Sequence, residues 1–168
     1  MSPFPSHEIN LLSETTEIPG WFNFQRVYDR MVAHAPAGAA FVEVGAWLGK
    51  STAYLAARIR ESGKNIALHV VDTWRGSPGE AAHRSELERH GGDLFPAFRE
   101  NMLRAGVLDL IRPIQKTSVE AARDFADASL DFVFLDAAHD SISVSADIRA
   151  WWPKVKTGGH PMYSSRSA

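Results

Sequence analysis

Residues 41–51 read Phe-Val-Glu-Val-Gly-Ala-Trp-Leu-Gly-Lys-Ser, an apolar run that passes into two glycines and then into a helical pattern. The apolar run predicts a buried strand, and Gly45 and Gly49 predict a tight turn at its carboxyl end. Because glycine has no side chain, the backbone of such a turn can approach a ligand closely. The stretch therefore predicts one wall of a ligand site, and an ordinary strand-to-helix turn is the alternative interpretation.

Apolar strands alternate with helical patterns along the rest of the chain. We predict helices at 21–34, 50–61, 80–89, 93–105, 119–125 and 141–152, and strands at 39–44, 66–71, 110–114 and 130–135. In the last helix, Trp151 and Trp152 are both expected on the buried side. Continuous apolar strands separated by helices predict a parallel sheet with helices on both faces. Right-handed crossovers give a Rossmann-like α/β sheet of strand order 3-2-1-4.

Length and composition predict one cytoplasmic domain. The 168 residues divide into an N-terminal arm at 1–20, a domain at 21–159 and a tail at 160–168. The arm is expected either to fold over the site or to be a solvated tail. The chain has no cysteine, which excludes disulfides and suits a reducing compartment. A net charge of −2 and the absence of a long apolar run predict neither nucleic acid nor a membrane as a partner.

The spacing of the glycines separates three kinds of cofactor. A phosphate-binding P-loop has four residues between its first glycine and Gly-Lys-Ser, whereas three residues lie between Gly45 and Gly49. A dinucleotide fingerprint has glycine two positions after the first, where this chain has Trp47. Glu43 would repel phosphates but could attract an ammonium group, directly or through water. S-adenosylmethionine carries an ammonium group and no phosphate.

These residues carry a family resemblance. The run from Val42 to Ser51 resembles the first motif of class I S-adenosylmethionine-dependent methyltransferases, in particular the bacterial small-molecule group. The segment from Leu130 to Asp140, followed by Asp147 to Trp151 and by Gly158-Gly159, is similar to the same group. The resemblance covers residues 20–159 and implies transfer of a methyl group to a small-molecule oxygen or nitrogen acceptor.

Several polar residues at the predicted strand ends are candidates for cofactor binding. The amino end of the helix at Ser51 would offer N–H groups to the methionine carboxylate of the cofactor, as helix starts do for anions. Asp72 and Thr73 follow the second strand, where an acid can accept hydrogen bonds from both ribose hydroxyls; a plain loop aspartate is the alternative. The resemblance places Ser118 near the adenine, and a cap for the following helix is an equal explanation.

The end of the fourth strand carries the candidates for catalysis. The resemblance implies that Asp136 faces the methyl donor, lines the active site and contributes to cofactor binding. Asp136 and Asp140 would suit Mg²⁺, which prefers oxygen ligands and retains water. His139 is a candidate general base, since histidine as a residue type ordinarily has a pKa near neutrality. A cap for the next helix is the alternative role for Asp140.

The carboxyl end departs from the family pattern. Relatives continue after the two glycines with a fifth apolar strand and further strands, whereas here the glycines pass into His160, Pro161 and a Ser/Arg tail. The sequence therefore predicts a sheet that lacks these C-terminal strands and has 130–135 as an open edge. Such an edge would drive a homodimer or aggregation, unless the tail from His160 to Ala168 folds back over it. It also leaves an alternative function, a non-catalytic cofactor-binding or partner-binding remnant.

Overall fold

The computed structural model describes residues 17–76, 81–136 and 141–163, and these form a five-stranded parallel sheet with helices around it. The strands are β1 (Ala40–Val44), β2 (Ala67–Asp72), β3 (Ile111–Gln115), β4 (Leu130–Leu135) and β5 (Val155–Tyr163). The α-helices among these residues include α1 (Gln25–His34), α2 (Lys50–Ser62), α3 (Ala81–Arg89), α4 (Phe95–Arg104), α5 (Ser118–Ala122) and α6 (Ser141–Trp151). The strand order is β3-β2-β1-β4-β5, which confirms the predicted order of the first four strands.

Successive residues of the central strands face two different cores. Phe41 of β1 packs in one core with Tyr28 of α1 and Leu55 of α2. The next residue, Val42, packs in the other core with Ala121 of α5 and Trp151 of α6. Because side chains alternate along a strand, this division confirms that helices cover both faces of the sheet. Both faces being buried also explains why β1 and β4 are apolar throughout most of their length.

The fifth strand corrects the prediction for the carboxyl end. Residues 155–163 pair in parallel with β4, so that β4 is an interior strand and not an open edge. Leu130 pairs with Val155 whereas Phe132 pairs with His160, so β5 bulges between these two pairs. Gly159 lies in the bulge, and a Cβ there would stand 2.6 Å from Val155 Cγ1. The two glycines predicted as the end of the domain are thus part of a strand, and the prediction of an open edge at β4, from which dimerisation was inferred, is wrong.

Each edge strand contains a proline. Pro113 lies in β3 and Pro161 lies in β5, whereas the three interior strands have none. Proline has no N–H for a sheet ladder and is confined mostly to edges. The two prolines therefore suit the two positions at which the described sheet ends.

The last helix buries fewer aromatic residues than its sequence predicts. Trp151 is fully buried, but Trp152 is 63% exposed because α6 ends at Trp151 and a 3₁₀ turn begins at Trp152. The expectation that both tryptophans are buried is therefore wrong for Trp152. Within the described ranges, no helix has both the length and the apolar character needed to cross a bilayer.

Candidate cofactor-binding site

A cavity of about 190 Å³ opens at the carboxyl edge of the sheet. Its walls come from the turn after β1, the start of α2, the end of β2, the loop after β3 and the residue after β4. The predicted site residues that line it are Gly45, Ser51, Asp72, Thr73, Ser118 and Asp136. Glu43 and Gly49 do not line it, and His139 and Asp140 lie outside the described residues. The carboxyl ends of parallel strands meet at one edge, which is why residues far apart in sequence converge here.

The turn after β1 is held by the side chain of Asp72. One carboxylate oxygen of Asp72 accepts hydrogen bonds from the backbone N–H of Ala46 at 2.8 Å and of Trp47 at 2.9 Å. Gly45 has a φ of +91° and donates its N–H to Val71 O at 2.8 Å. Gly45 therefore takes a left-handed conformation that glycine adopts without steric cost. Trp47 also has a positive φ, of +54°, so a non-glycine residue is held in this region by the surrounding contacts.

Asp72 thus has a structural role that its sequence position did not predict. Its second carboxylate oxygen accepts a hydrogen bond from the N–H of Trp74 at 2.8 Å. An ionised carboxylate has about four lone-pair sites, so capacity for further hydrogen bonds remains at the cavity. Trp74 itself is fully buried and donates its ring N–H to Trp47 O at 3.0 Å. The ring of Trp74 therefore packs in the core of the protein.

Glu43 lies behind the cavity wall, in the middle of β1. It is fully buried, and its two carboxylate oxygens accept hydrogen bonds from the Tyr28 hydroxyl at 2.6 Å and the Thr52 hydroxyl at 2.5 Å. Burial raises the pKa of Glu43, the charge of Asp136 adds to this rise, and the hydroxyl hydrogen bonds oppose it. Burial and the neighbouring Glu43 raise the pKa of Tyr28 well above its ordinary value. The side chain predicted to meet the cofactor ammonium is thus enclosed by α1 and α2.

Gly49 serves packing between helices and not the cavity. It precedes α2 with a φ of +93°, and a Cβ there would stand 2.4 Å from Met102 Cε and 2.9 Å from the Phe98 ring. Both neighbours belong to α4 and are fully buried. The second glycine of the turn is therefore required by the close approach of α4, whereas the first glycine lies at the cavity.

The start of α2 forms a polar part of the wall. Lys50 and Ser51 line the cavity, and Ser51 is 8% exposed. The preceding Gly49 offers no side-chain cap to the first turn of this 13-residue helix. The first N–H groups of a helix have no partner within it and favour an anion. The position of this helix start at the cavity is compatible with the predicted binding of an anion there.

The loop after β3 closes the cavity on another side. Lys116, Thr117 and Ser118 line it. Thr117 caps α5 in a capping box with Glu120, so the alternative that Ser118 is the cap is wrong. The Ser118 hydroxyl instead accepts a hydrogen bond from the ring N–H of Trp151 at 2.9 Å. Sequence analysis missed this bond because it joins residues from two helices.

Asp136 completes the cavity beside β1. Its backbone N–H donates to Val44 O at 2.8 Å, which places it next to the turn. Within residues 17–76, 81–136 and 141–163, no group of three acidic, histidine or cysteine side chains could hold a metal ion. The proposed partner Asp140 lies outside these ranges. The described donors do not support a magnesium site, and no step is assigned to Mg²⁺.

The aromatic and N-terminal part of the wall includes the end of the arm that the sequence predicts at 1–20, whereas Trp21 and Trp47 are not among the predicted site residues. Pro19, Gly20, Trp21 and Trp47 also line the cavity. Gly20 has a φ of +135°, and its Cβ position lies 3.7 Å from the Trp47 ring. The segment at 19–21 thus passes across the turn after β1. The Pro-Gly pair at 19–20 predicts a turn, but the position of this turn beside the cavity depends on its contact with the Trp47 ring.

Comparison with known proteins places this site in a family. The sequence matches the family described as a methyltransferase domain over residues 42–162, which is most of the chain. A protein of known structure from Corynebacterium glutamicum is 13% identical with a TM-score of 0.62, over 98% of this chain and 68% of that chain.

Two further solved structures are similar to this chain. An S-adenosylmethionine-dependent O-methyltransferase from Thermotoga maritima is 16% identical with a TM-score of 0.59, over 90% of this chain and 48% of that chain. A geranyl diphosphate C-methyltransferase from Streptomyces coelicolor is 10% identical with a TM-score of 0.53, over 96% and 51% respectively. The family match and the similarity of fold agree with each other. The chain belongs to the methyltransferase-domain family and has the fold of the class I S-adenosylmethionine-dependent methyltransferases.

Proposed function

We propose that the protein transfers the methyl group of S-adenosylmethionine to an oxygen or nitrogen atom of a small molecule. The observation that carries this proposal is the cavity at the carboxyl edge of the sheet. There a helix start, a glycine turn and two carboxylates meet, and each suits one part of the cofactor. The family supports methyl transfer in general, and the nature of the acceptor is the proposed part.

The described residues match the parts of the cofactor in order across the sheet. The N–H groups at the start of α2, next to Ser51, would hold the methionine carboxylate. Asp72 and Thr73 would accept hydrogen bonds from the ribose hydroxyls. The Asp72 carboxylate already accepts three hydrogen bonds from backbone N–H groups and has the capacity to accept more. Ser118 and Thr117 would border the adenine. The sulfonium of the cofactor, which carries the methyl group, would lie near Asp136.

Bound S-adenosylmethionine supplies an electrophilic methyl group on a sulfonium. The protein's part is mainly placement, since holding two reactants in line removes much of the entropic barrier. Asp136 is fixed at the cavity by its backbone bond to Val44, where its carboxylate can accept a hydrogen bond from an acceptor hydroxyl or amine and orient it. His139 remains the proposed general base for the acceptor proton.

The solved structures differ in the atom that they methylate. The Thermotoga protein is named an O-methyltransferase and the Streptomyces protein a C-methyltransferase. The carboxylate at the cavity favours an acceptor with a polar proton, which oxygen and nitrogen carry. The rival interpretation as a non-catalytic remnant drew part of its support from a missing fifth strand, and the presence of β5 weakens that part.

Calorimetric titration tests the cofactor assignment. We expect S-adenosylmethionine and S-adenosylhomocysteine to bind and ATP not to bind. Asp72→Ala should weaken binding by at least about 1–3 kcal/mol, the cost of losing hydrogen bonds to a charged group. The loss of its bonds to Ala46 and Trp47 adds to this weakening.

Asp109→Ala is the matched control, because Asp109 forms an exposed ion pair with Arg60 outside the cavity. An unchanged dissociation constant in Asp72→Ala, or tight binding of ATP, would refute the assignment. Turnover is then measured as transfer of a labelled methyl group to a panel of small hydroxyl and amine acceptors. Binding without any transfer would favour the non-catalytic alternative.

A further inference from the structure

The carboxylate of Glu43 is held by hydroxyl groups from two helices that flank β1. Tyr28 of α1 donates to one oxygen at 2.6 Å, and Thr52 of α2 donates to the other at 2.5 Å. Both distances lie in the range of charge-assisted hydrogen bonds. The raised pKa of Tyr28 keeps its hydroxyl protonated and thus able to donate. Glu43 and Tyr28 are both fully buried, so solvent does not replace either bond.

The groups around Glu43 connect it to the cavity. Ser51 lies beside Glu43 and Tyr28, lowers the pKa of both through its hydroxyl, and lines the cavity. Asp136, also at the cavity, raises the pKa of Glu43 through its charge. The strands beside Glu43 contribute Val70 and Phe134, which carry no charge. Since the charge of Asp136 at the cavity already affects Glu43, a charge bound in the cavity should affect it as well.

We propose that Tyr28 is a positioning residue for the cofactor site: its hydroxyl holds the Glu43 carboxylate behind the cavity wall, where the negative charge strengthens binding of a positively charged cofactor. This inference rests on the proposed function. It assigns a role in the site to α1, which contributes no residue to the cavity lining.

Binding of a cationic cofactor and ionisation of Glu43 are thermodynamically linked. Burial and Asp136 oppose ionisation of Glu43, whereas the hydroxyls of Tyr28 and Thr52 favour it. S-adenosylmethionine brings a sulfonium and an ammonium, which also favour the ionised carboxylate. Binding and ionisation must then strengthen each other by the same factor. Affinity should rise with pH, and binding should release a proton from Glu43 to solvent.

Tyr28→Phe tests the inference, with Tyr54→Phe as the matched control. Tyr54 also joins the two helices, since it lies on α2 and donates to Asp29 of α1 at 2.8 Å, but it does not contact Glu43. Binding of S-adenosylmethionine is measured calorimetrically from pH 5 to 7 in buffers of different ionisation heat, which counts the protons released. The protein should bind more tightly as pH rises and should release protons.

Tyr28→Phe should bind about tenfold more weakly at pH 7, with its pH profile displaced upward. Tyr54→Phe should match the unmodified protein in affinity and profile. Glu43→Gln, which keeps the size of the side chain, should show no proton release. S-adenosylhomocysteine, which lacks the sulfonium charge, should show a smaller pH dependence.

The outcomes separate this inference from the proposed function. If the unmodified protein binds no S-adenosylmethionine, both fail. If it binds without proton release, or if folded Tyr28→Phe has the affinity and pH profile of the unmodified protein, the inference alone is overturned. Should Tyr28→Phe not fold, Glu43→Gln decides the matter, and proton release that persists in that variant overturns the inference.

Discussion

Gly49 offers a direct measure of how tightly α4 packs against the start of α2. Substitution by alanine would place a Cβ 2.4 Å from Met102 Cε and 2.9 Å from the Phe98 ring, with further contact at 3.0 Å. Met102 is flexible at its end, but it is fully buried, as is the Phe98 ring. Movement of either group therefore disturbs the surrounding core, in which space for displaced atoms is scarce.

The loss of stability in Gly49→Ala has a conformational part and a packing part. Gly63, at the other end of the same helix, allows the two parts to be measured separately. Gly63 follows the other end of α2 with a φ of +63°, and its Cβ would meet nothing within 4 Å. Gly63→Ala should therefore show mainly the conformational cost, about 1–2 kcal/mol. Gly49→Ala has a similar conformational cost and adds about 1–3 kcal/mol for overpacking. We expect Gly49→Ala to be the less stable variant by that second amount.

Equilibrium unfolding in urea of both variants and the unmodified protein measures the difference, provided that the slope with denaturant is unchanged. Met102→Ala, which leaves a cavity and is destabilising by itself, should cost less in the Gly49→Ala background than in the unmodified protein, because it removes the atom closest to the new Cβ. Equal stability of Gly49→Ala and Gly63→Ala would show that the close approach of α4 does not require glycine at position 49. The prediction that Gly49 allows the backbone to approach a ligand would then be the better explanation for glycine at this position.

Two further predictions concern buried polar groups. The folded-state pKa of Glu43 lies above its ordinary value of 4.5, so its contribution to stability is complete below that value and is lost as pH rises through the folded-state pKa. Without cofactor, the unfolding free energy should fall with rising pH more steeply than in Glu43→Gln, and parallel pH profiles would contradict this. Trp151→Phe removes the hydrogen bond to Ser118 and leaves a cavity in the core, so it should destabilise by more than the roughly 1 kcal/mol of the bond alone. The same change at the exposed Trp152 should leave thermal stability nearly unchanged, and equal effects at both positions would argue against a role for the bond.

Much of the fold and part of the site follow from local sequence. The span of β4 is the predicted one, and the predicted order of four strands is observed. Both follow from apolar runs that are buried on two faces, a pattern visible in sequence. The position of Asp72 at the cavity follows equally, since side chains at carboxyl strand ends share one edge.

The fifth strand was missed because its signal is not local. Residues 155–163 contain two glycines, a proline and few apolar residues. Their extended conformation depends on pairing with β4, whose backbone N–H and C=O groups on that side need hydrogen-bond partners. Tertiary pairing here overrides weak strand propensity.

The sequence alone predicts a strand at 39–44 followed by a glycine turn, but the role of each residue in that turn depends on the tertiary structure. Gly45 and Gly49 look equivalent in sequence, but Gly45 lines the cavity and Gly49 accommodates α4. Glu43 has the position expected of a ligand partner, yet Tyr28 and Thr52 enclose it. Hydrophobic periodicity specifies the element to which a residue belongs, whereas its neighbours depend on how distant elements pack, which is a property of the folded chain as a whole.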